Sequence, residues 1–163
     1  MNEVTVLKVG MADMKVASAG ESLRTTGLGS CVGLVLYDVQ RRIAGMAHIM
    51  LPSSTIAREN RINPAKYADT AVPGLVEMMK WEGADPGRLV AKMAGGAQMF
   101  HFAGEDVMRI GPRNVESVKQ ALEQLGIRLI AEDTGGNYGR TVEFDSRTGV
   151  LHIRSVQHGV KEI

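Results

Sequence analysis

The sequence contains one cysteine, Cys31, among its 163 residues. A disulfide within the chain needs two cysteines, and so does a metal site built on a cysteine pair, so the sequence excludes both. The histidines lie too far apart for the spacing of a zinc motif; they are His48, His101, His152 and His158. We therefore expect no metal and no cofactor, and a lone thiol agrees with the reducing cytoplasm.

The chain also lacks an excess of charge of either sign. Its 19 lysines and arginines balance 18 acidic residues, which leaves a net charge of +1. No long basic run of the kind that binds nucleic acid is present. Nor does the N-terminal segment combine positive charge with a long apolar run, as a signal peptide or membrane anchor does. We expect a cytoplasmic protein that neither binds nucleic acid nor inserts into a membrane.

What the chain does contain is enough apolar residues for one substantial core. Hydrophobic residues make up 44% of the sequence, and the length is short for two domains. We therefore expect a single domain spanning residues 1–163. Apolar and β-branched residues predict an opening strand before residue 11, an extended segment at 22–26, and strands at 32–37, 43–51, 89–94, 127–131, 140–144 and 150–156.

The first segment with helical spacing follows residue 62. Asn63 is a suitable cap and Pro64 a suitable first residue. Pro73 lies inside the pattern, so the helix is expected either to kink there or to begin there, with Thr70 as the alternative cap. Gly83 is expected to end it.

A second helix is predicted to open at Pro112 or Asn114 and to end at Gly126. Helices and strands then follow each other without a regular βαβ repeat. This order predicts an α+β fold, in which a layered sandwich of mixed β-sheet strands is covered by two main helices.

Two kinds of loop allow more than one interpretation. The polar segment 53–63 is typical of a solvated connection, and a mobile lid or a segment that contacts a partner protein is the alternative. The glycine pairs at 95–96 and 135–136 lack the spacing of a phosphate-binding loop and are more typical of strand-to-loop turns.

The most informative stretch is the predicted hairpin that follows Cys31. If Tyr37 pairs with Arg42, then Cys31 lies directly opposite His48, with Cβ atoms about 4.5–5.5 Å apart. Small residues on the same face, such as Gly33, would leave room for a substrate. A slip of one residue would put the thiol and the imidazole on opposite faces, so the hypothesis depends on the register.

Such a pair has the chemistry of a nucleophile and its base. A free thiol titrates near ~8.5, and a neighbouring imidazole can take its proton. The glycine-containing turn at 27–30 is suited to direct backbone N–H groups, such as that of Cys31, toward an oxyanion. Thr25 or Thr26 is placed to hold the imidazole of His48. The alternative is that the cysteine is simply a small buried hydrophobe.

Six segments resemble the CheD family of bacterial chemoreceptor glutamine deamidases, and together they extend the resemblance over roughly residues 7–156. They are GLGSCVGLVLYD, GMAHIMLP, KYADTA, AGGAQMF, GPRNV and AEDTGGNYGR. Carried over by position, the resemblance implies that Cys31 is the catalytic cysteine, His48 the catalytic histidine and Thr25 the threonine that assists them.

The resemblance also implies an activity and its partners. The expected reaction converts glutamines on the cytoplasmic helices of methyl-accepting chemotaxis receptors to glutamate, with release of ammonia, through a thioester on the cysteine. Weak hydrolysis of receptor methyl esters is a related expectation. The chemotaxis phosphatase CheC is the second partner that the resemblance implies.

Two other functions stay open at this point. The chain could act mainly as a binding regulator of CheC, with the cysteine site as a docking cleft. Alternatively, the thiol could sense or reduce an oxidant, but with only one cysteine in the chain it would need an external thiol to resolve it.

Overall fold

The computed structural model describes residues 4–18, 20–57, 61–99 and 109–163. Within these ranges the chain forms two α-helices, α1 (Ala68–Trp81) and α2 (Ile110–Gln124), and none of the helices is long and apolar enough to cross a membrane. The strands are β1 (Val6–Lys8), β2 (Met14–Ala17), β3 (Ser22–Leu28), β4 (Val32–Asp38), β5 (Ile43–Ile49), β6 (Val90–Gly95), β7 (Arg128–Thr134), β8 (Arg140–Asp145), β9 (Val150–Ser155) and β10 (Gly159–Glu162).

The strands are arranged in two five-stranded sheets. The central sheet has the order β2-β5-β4-β6-β7, and the second sheet has the order β1-β3-β8-β9-β10. Most neighbouring strands are antiparallel, but β6 and β7 are parallel, and so are β1 and β3. Both sheets are therefore mixed, and the α+β fold predicted from the sequence is confirmed.

One face of the central sheet is covered by both helices. Strand β4 is buried along its whole length, so its alternating side chains fill two different interiors. On the helix side, Leu34 and Leu36 belong to one apolar cluster with Val72 and Leu75 of α1 and Leu122 of α2. The amphipathic helices thus bury their apolar faces on this sheet.

The opposite face of the central sheet packs against the second sheet. Val35 and Met46 of the central sheet share a cluster with Leu23, Val142 and Phe144 of the second sheet. We call this the inter-sheet cluster. The molecule therefore has three layers, helices, central sheet and second sheet, and the predicted layered sandwich is confirmed with both helices on one side.

The start of α1 differs from both predicted starts. Asn63 caps a separate 3-10 turn, Pro64–Lys66, by accepting a backbone N–H at 3.1 Å. The helix itself begins at Ala68, so Thr70 lies in its first turn and Pro73 lies in its interior. A proline there removes one intrahelical hydrogen bond. Val72 before it and Leu75 after it are held in the core, and the helix continues through it.

The second helix begins earlier than predicted, and both helices end as predicted. Helix α2 starts at Ile110, ahead of Pro112 and Asn114. Gly83 and Gly126 follow the helices with φ of 103° and 70°, the left-handed conformation in which glycine ends a helix.

The predicted strands are found, and two short strands were missed. The opening strand corresponds to β1, and the later hairpin corresponds to β8 and β9. Strands β2 and β10 were not predicted. Each lies at the edge of its sheet and has four residues, which is too short for a clear alternation.

The polar segment 53–63 is partly tied to α1. The N–H and hydroxyl of Ser54 donate to the two carboxylate oxygens of Asp69, at 2.9 and 2.7 Å. Residues 58–60 of this segment lie outside the described residues. The described part is thus a connection anchored on the first turn of a helix, and the lid stays a hypothesis.

Candidate active site

The hairpin that carries Cys31 and His48 differs in register from the prediction. Asp38 pairs with Ile43 and Gly33 pairs with His48, so the predicted direct pairing of Cys31 with His48 is wrong by two residues. The cause is the loop. Asp38 remains in β4, and its carboxylate accepts two loop N–H groups at 3.1 and 3.3 Å, so the four-residue loop is 39–42 rather than 38–41.

A shift of two residues keeps the side chains on their predicted face, because strand side chains alternate with a period of two. His48 shares the inter-sheet face of the central sheet with Gly33 and Met46. Cys31 immediately precedes β4 and packs against the inter-sheet cluster. The thiol and the imidazole therefore both lie on the side of the central sheet that faces the second sheet.

The expected space beside Gly33 is filled. A Cβ atom at Gly33 would come within 3.0 Å of the Leu28 side chain, 3.4 Å of Val142 and 3.5 Å of the Thr25 methyl group. The prediction that this glycine leaves room for a substrate is therefore wrong. Its small size instead allows the two sheets to approach each other closely.

His48 is fully buried and is held by Thr25. The hydroxyl of Thr25 lies 2.7 Å from Nδ1 of His48 and donates to the carbonyl of Val9 at 2.7 Å. The register between β3 and β8 shifts between Thr25 and Leu28, and Thr26 within this irregularity is exposed. Of the two threonines considered from the sequence, Thr25 is therefore the one in contact with the imidazole.

These two contacts determine which ring nitrogen of His48 carries the proton. A threonine hydroxyl has one hydrogen, and the Val9 carbonyl can only accept, so that hydrogen points to Val9. The oxygen of Thr25 must then accept from Nδ1–H of His48. In the neutral imidazole Nε2 is left with its lone pair, and this buried atom has no hydrogen-bond partner in the described part of the chain.

Cys31 is half-buried and free. Because Nε2 of His48 is unpartnered among the described residues, the thiol is not hydrogen-bonded to it in this conformation. The structure thus joins Thr25 to His48 directly and brings Cys31 into the same interior without a direct bond.

Burial makes both ionisable groups neutral. It raises the pKa of the Cys31 thiol and lowers the pKa of the His48 imidazole from their usual values. In each case the charged form is the one that burial disfavours. Near neutral pH the Cys31 sulfur is accordingly a thiol, and the His48 imidazole is uncharged.

This resting state predicts how the thiol reacts with a small alkylating agent. The rate of reaction of Cys31 with iodoacetamide should be low near pH 7 and should still be rising at a pH where free cysteine is largely thiolate. Mass spectrometry after timed quenching measures it, with free cysteine as the reference. A rate that levels off below pH 7 would instead show a thiolate–imidazolium pair and contradict the assignment.

The turn before Cys31 is held by the backbone of residues 96 and 97. The N–H of Ala97 donates to the Gly29 carbonyl at 2.9 Å, and the N–H of Gly96 donates to the Cys31 carbonyl at 2.9 Å. Within the described ranges, the N–H groups of Ser30 and Cys31 themselves donate to no backbone acceptor. Two adjacent amides at the thiol therefore have no backbone partner in the part of the chain that the structure describes.

Gly95 is a residue whose importance the sequence did not show. Its φ is 110°, and a Cβ atom there would overlap the carbonyl oxygen of Cys31. A glycine pair after a strand was the only signal, and it predicted a turn. In the structure this segment lies directly against the backbone of Cys31.

We expect Gly95→Ala to lower the free energy of unfolding by at least about 2 kcal/mol, because backbone strain and overlap act together. Gly135→Ala is the matched control. Its φ is 85° and nothing lies within 4 Å of the added Cβ, so only backbone strain should act there. Urea unfolding of both variants measures the difference. Equal losses would show that the contact with Cys31 is unimportant.

Arg140 is a buried residue that ties the second glycine pair to the first. Its guanidinium donates to Asp133 at 3.1 Å, to the Gly135 carbonyl at 2.9 Å and to the Gly95 carbonyl at 3.4 Å. It also lies over the ring of Tyr138, 4.3 Å from its centroid. Asp133 thus has a buried cation as its partner.

An open groove of about 460 Å³ lies beside the turn. Gly27 and Met99 line it near the turn, and Tyr138, Arg154 and Val156 line the remainder. Cys31 is not among its lining residues. The groove therefore adjoins the segment that carries the thiol rather than covering the thiol itself.

The described residues contain no group of three or more His, Cys, Asp or Glu side chains that would hold a metal ion. His101 lies outside the described residues. The site that the structure presents is built from a thiol, an imidazole, a hydroxyl and backbone amides.

A half-buried thiol and a buried neutral imidazole on the same side of a sheet, with one ring nitrogen fixed by a hydroxyl, are groups that enzymes acting by cysteine acyl transfer use. Comparison with known families gives a more specific result. The family model described as "CheD chemotactic sensory transduction" matches residues 50–155. The chain belongs to the CheD family.

Relatives of this chain cover the part that the family model does not. A probable chemoreceptor glutamine deamidase CheD of Geobacillus kaustophilus is 54% identical over 165 residues, and the chemoreceptor glutamine deamidase CheD of Halalkalibacterium halodurans is 55% identical over 164 residues; each alignment spans 100% of both chains. The corresponding protein of Bacillus subtilis is 50% identical and covers 99% of this chain and 98% of its own. The resemblance seen in the sequence is confirmed.

Proposed function

We propose that this chain is a chemoreceptor glutamine deamidase, which hydrolyses glutamine side chains of methyl-accepting chemotaxis receptors to glutamate and ammonia. Full-length relatives that carry this name support the proposal. The observation that carries it in the structure is the fixed tautomer of His48. Its Nδ1–H is held by Thr25, and its free Nε2 is buried on the same side of the sheet as Cys31.

The first half of the reaction forms a thioester. The sulfur of Cys31 attacks the carboxamide carbon while Nε2 of His48 takes the thiol proton, and the carbonyl electron pair moves to its oxygen. When the carbonyl re-forms, the C–N bond breaks. The imidazolium gives its proton to the departing nitrogen, which leaves as ammonia.

The second half returns the enzyme to its starting state. A water molecule gives a proton to Nε2 of His48 as its oxygen attacks the thioester carbon. The C–S bond then breaks, the sulfur of Cys31 recovers the proton, and the product is glutamate. His48 thus accepts and returns one proton in each half.

Thr25 acts as the group that orients the base. Its oxygen accepts Nδ1–H, and its own proton is committed to Val9, so the imidazole cannot turn Nε2 away without breaking a buried hydrogen bond. An uncharged partner stabilises an imidazolium less than a carboxylate does. This agrees with the lowered pKa of His48 and with a base that is neutral before the substrate arrives.

The oxyanion that forms during the attack needs donors that are in place beforehand. The amides of Ser30 and Cys31 meet this need, because they donate to no backbone acceptor in the described ranges. The carbonyls on either side of them are bound by Gly96 and Ala97. The same site would accept a receptor methyl ester, whose carbonyl is equivalent, so weak esterase action is part of the proposal.

We also propose finer assignments that rest on the family resemblance. These are a single domain over residues 1–163, a cytoplasmic location, cytoplasmic receptor helices as the substrate, and the phosphatase CheC as a second partner. A chain that acts mainly as a regulator of CheC is the competing function.

The test is the mass of receptor peptides after incubation of a purified cytoplasmic receptor fragment with the protein in H₂¹⁸O. We expect glutamine to become glutamate at defined sites, with one ¹⁸O in each new carboxylate, because water resolves the thioester. Hydroxylamine added during turnover should trap the acyl group as a hydroxamate.

The single cysteine provides the matched control. Protein alkylated with iodoacetamide carries its modification at Cys31 and should convert no glutamine. Absence of conversion on several receptor fragments by unmodified protein that still binds them would overturn the deamidase and favour the docking regulator.

A further inference from the structure

Asn114 connects the two chain segments that carry the proposed nucleophile and base. Its side chain is fully buried in the first turns of α2. The amide nitrogen Nδ2 donates to the carbonyl of Ser30 and to the carbonyl of Met50, both at 2.9 Å. Ser30 directly precedes Cys31, and Met50 follows His48 by two residues.

We propose that Asn114 is a positioning residue for the reaction, which sets the spacing of the Cys31 and His48 segments and the direction of the Cys31 N–H. The inference rests on the proposed deamidase function, because it assigns Asn114 a part in that chemistry. It does not make Asn114 a group that touches the substrate.

The orientation of the Asn114 amide is determined by its partners. Both are carbonyl oxygens, which can only accept, so the atom facing them must be the NH₂ group and both of its hydrogens are used. The opposite atom, Oδ1, is buried and has no partner among the described residues. The two donated hydrogen bonds are therefore the contacts by which Asn114 acts on the two segments.

The two hydrogen bonds of Asn114, which we call the clamp, lie just beyond the end of the ladder between β4 and β5. The last paired residues of β4 and β5 at this end are Val32 and Ile49, so Cys31 lies one residue beyond the ladder. Past this point no ladder hydrogen bond keeps the two segments together. The two bonds from Asn114 replace it, one to each segment.

The bond to Ser30 also fixes an amide. The Ser30–Cys31 peptide is trans, so its C=O and N–H point in opposite directions. Because Asn114 holds the Ser30 carbonyl on the side of α2, the Cys31 N–H points away from α2. Rotation of this peptide would turn a carbonyl toward the substrate and remove a donor from the oxyanion site.

Helix α2 is itself placed by the segment that binds the turn. A Cβ atom at Gly111 would overlap the carbonyl oxygen of Ala97, so the first turn of α2 lies directly on residues 96 and 97. The N–H groups of these two residues bind the carbonyls of Cys31 and Gly29. Asn114 therefore reaches Ser30 from a helix that is already in contact with the same turn.

The test compares Asn114→Leu, which keeps the branched outline of asparagine without a donor, and Asn114→Asp, which nearly keeps its volume and whose ionised carboxylate cannot donate. We expect kcat for glutamine conversion to fall about 10²–10³-fold, the usual effect of losing an oxyanion donor. The Kd of the receptor fragment, measured with each change in a Cys31→Ala background, should stay within about twofold. A purely structural role would lower the folded fraction but not the kcat of the folded protein.

Ser146→Ala is the control for loss of a buried polar side chain. Ser146 follows β8, is fully buried, and its hydroxyl donates to the carbonyl of Glu21 at 2.6 Å. It should lower the melting temperature and leave kcat unchanged. Circular dichroism measures the folded fraction of each variant, and the assays are run below the melting temperature of the least stable variant.

Asn114→Ser is a second variant for the case in which Asn114→Leu and Asn114→Asp do not fold. Its hydroxyl retains one donor, so its kcat should lie between those of the original protein and of the other variants. The ¹H–¹⁵N signal of the Cys31 amide should shift in every Asn114 variant without substrate, so it reports on the clamp even if no deamidation is found. A folded Asn114→Leu with kcat within twofold of the original, or a loss confined to KM, would overturn the inference.

Discussion

Cys31→Ala should abolish conversion of receptor glutamines and leave the fold intact. The chain has no second thiol that could form the thioester, and His48 alone has no bound nucleophile to activate. The thiol is half-buried, so the free energy of unfolding should change by less than about 1 kcal/mol. Peptide mass spectrometry of the receptor fragment and urea unfolding measure the two effects.

Binding of partners provides the control for this variant. Receptor and CheC binding should survive Cys31→Ala, because docking depends on surface contacts rather than on the sulfur. Residual conversion at more than about 1% of the original rate would contradict a thioester mechanism. Cys31→Ser would then show whether an oxygen nucleophile can replace the thiol.

The sequence predicted the chemistry of the site better than its geometry. The alternation of apolar residues in 32–37 and 43–51 predicted the hairpin, and the period of two predicted which face His48 occupies. The exact pairing depended on Asp38, whose carboxylate binds loop N–H groups and so keeps it within β4. Such a contact is not visible in a pattern of apolar residues, and the predicted register was therefore wrong.

The supporting residues could not have been found from local sequence. Asn114 and Ser30 are 84 positions apart, and Arg140 and Gly95 are 45 positions apart. Each pair meets only because a helix or strand is packed onto the turn by the whole fold. Periodicity and turn signals describe neighbours along the chain, so they predicted a helix start near Asn114 but no function for its side chain.

The choice between Thr25 and Thr26 shows the same limit at short range. Both hydroxyls precede the turn, and alternation alone does not say which one faces inward. Thr25 is the last residue of the regular β3–β8 pairing and is buried, whereas Thr26 lies in the irregular part that follows and is exposed. Only the packed structure shows which of the two hydroxyls reaches His48.

His48→Gln should lower kcat by at least about 10³-fold, because no other described group is in position to take the thiol proton. Thr25→Val should lower it about 10²-fold. Valine has nearly the shape of threonine but cannot accept Nδ1–H, so the imidazole loses both its fixed direction and its fixed tautomer. Initial rates of glutamine conversion, measured over pH 5–9, give kcat for each variant.

Thr25→Ser is the matched control, because it keeps the hydroxyl that binds His48 and Val9. It should retain most of the activity, although the lost methyl group packs near Gly33. Equal losses in Thr25→Val and Thr25→Ser would show that packing, not the hydrogen bond, is what Thr25 supplies.

The pH dependence of activity and of stability separates the role of His48 from that of Cys31. Because burial lowers the pKa of His48, the acid limb of kcat should lie below 6.5, the usual value for histidine. The free energy of unfolding should also depend on the protonation of His48. The contribution of the buried neutral imidazole is fully present above pH 6.5. It is lost as pH falls from there through the lowered pKa of the folded protein, because only the unfolded chain takes up the proton in that range. His48→Gln should remove this part of the pH dependence of unfolding, whereas Cys31→Ala should retain it.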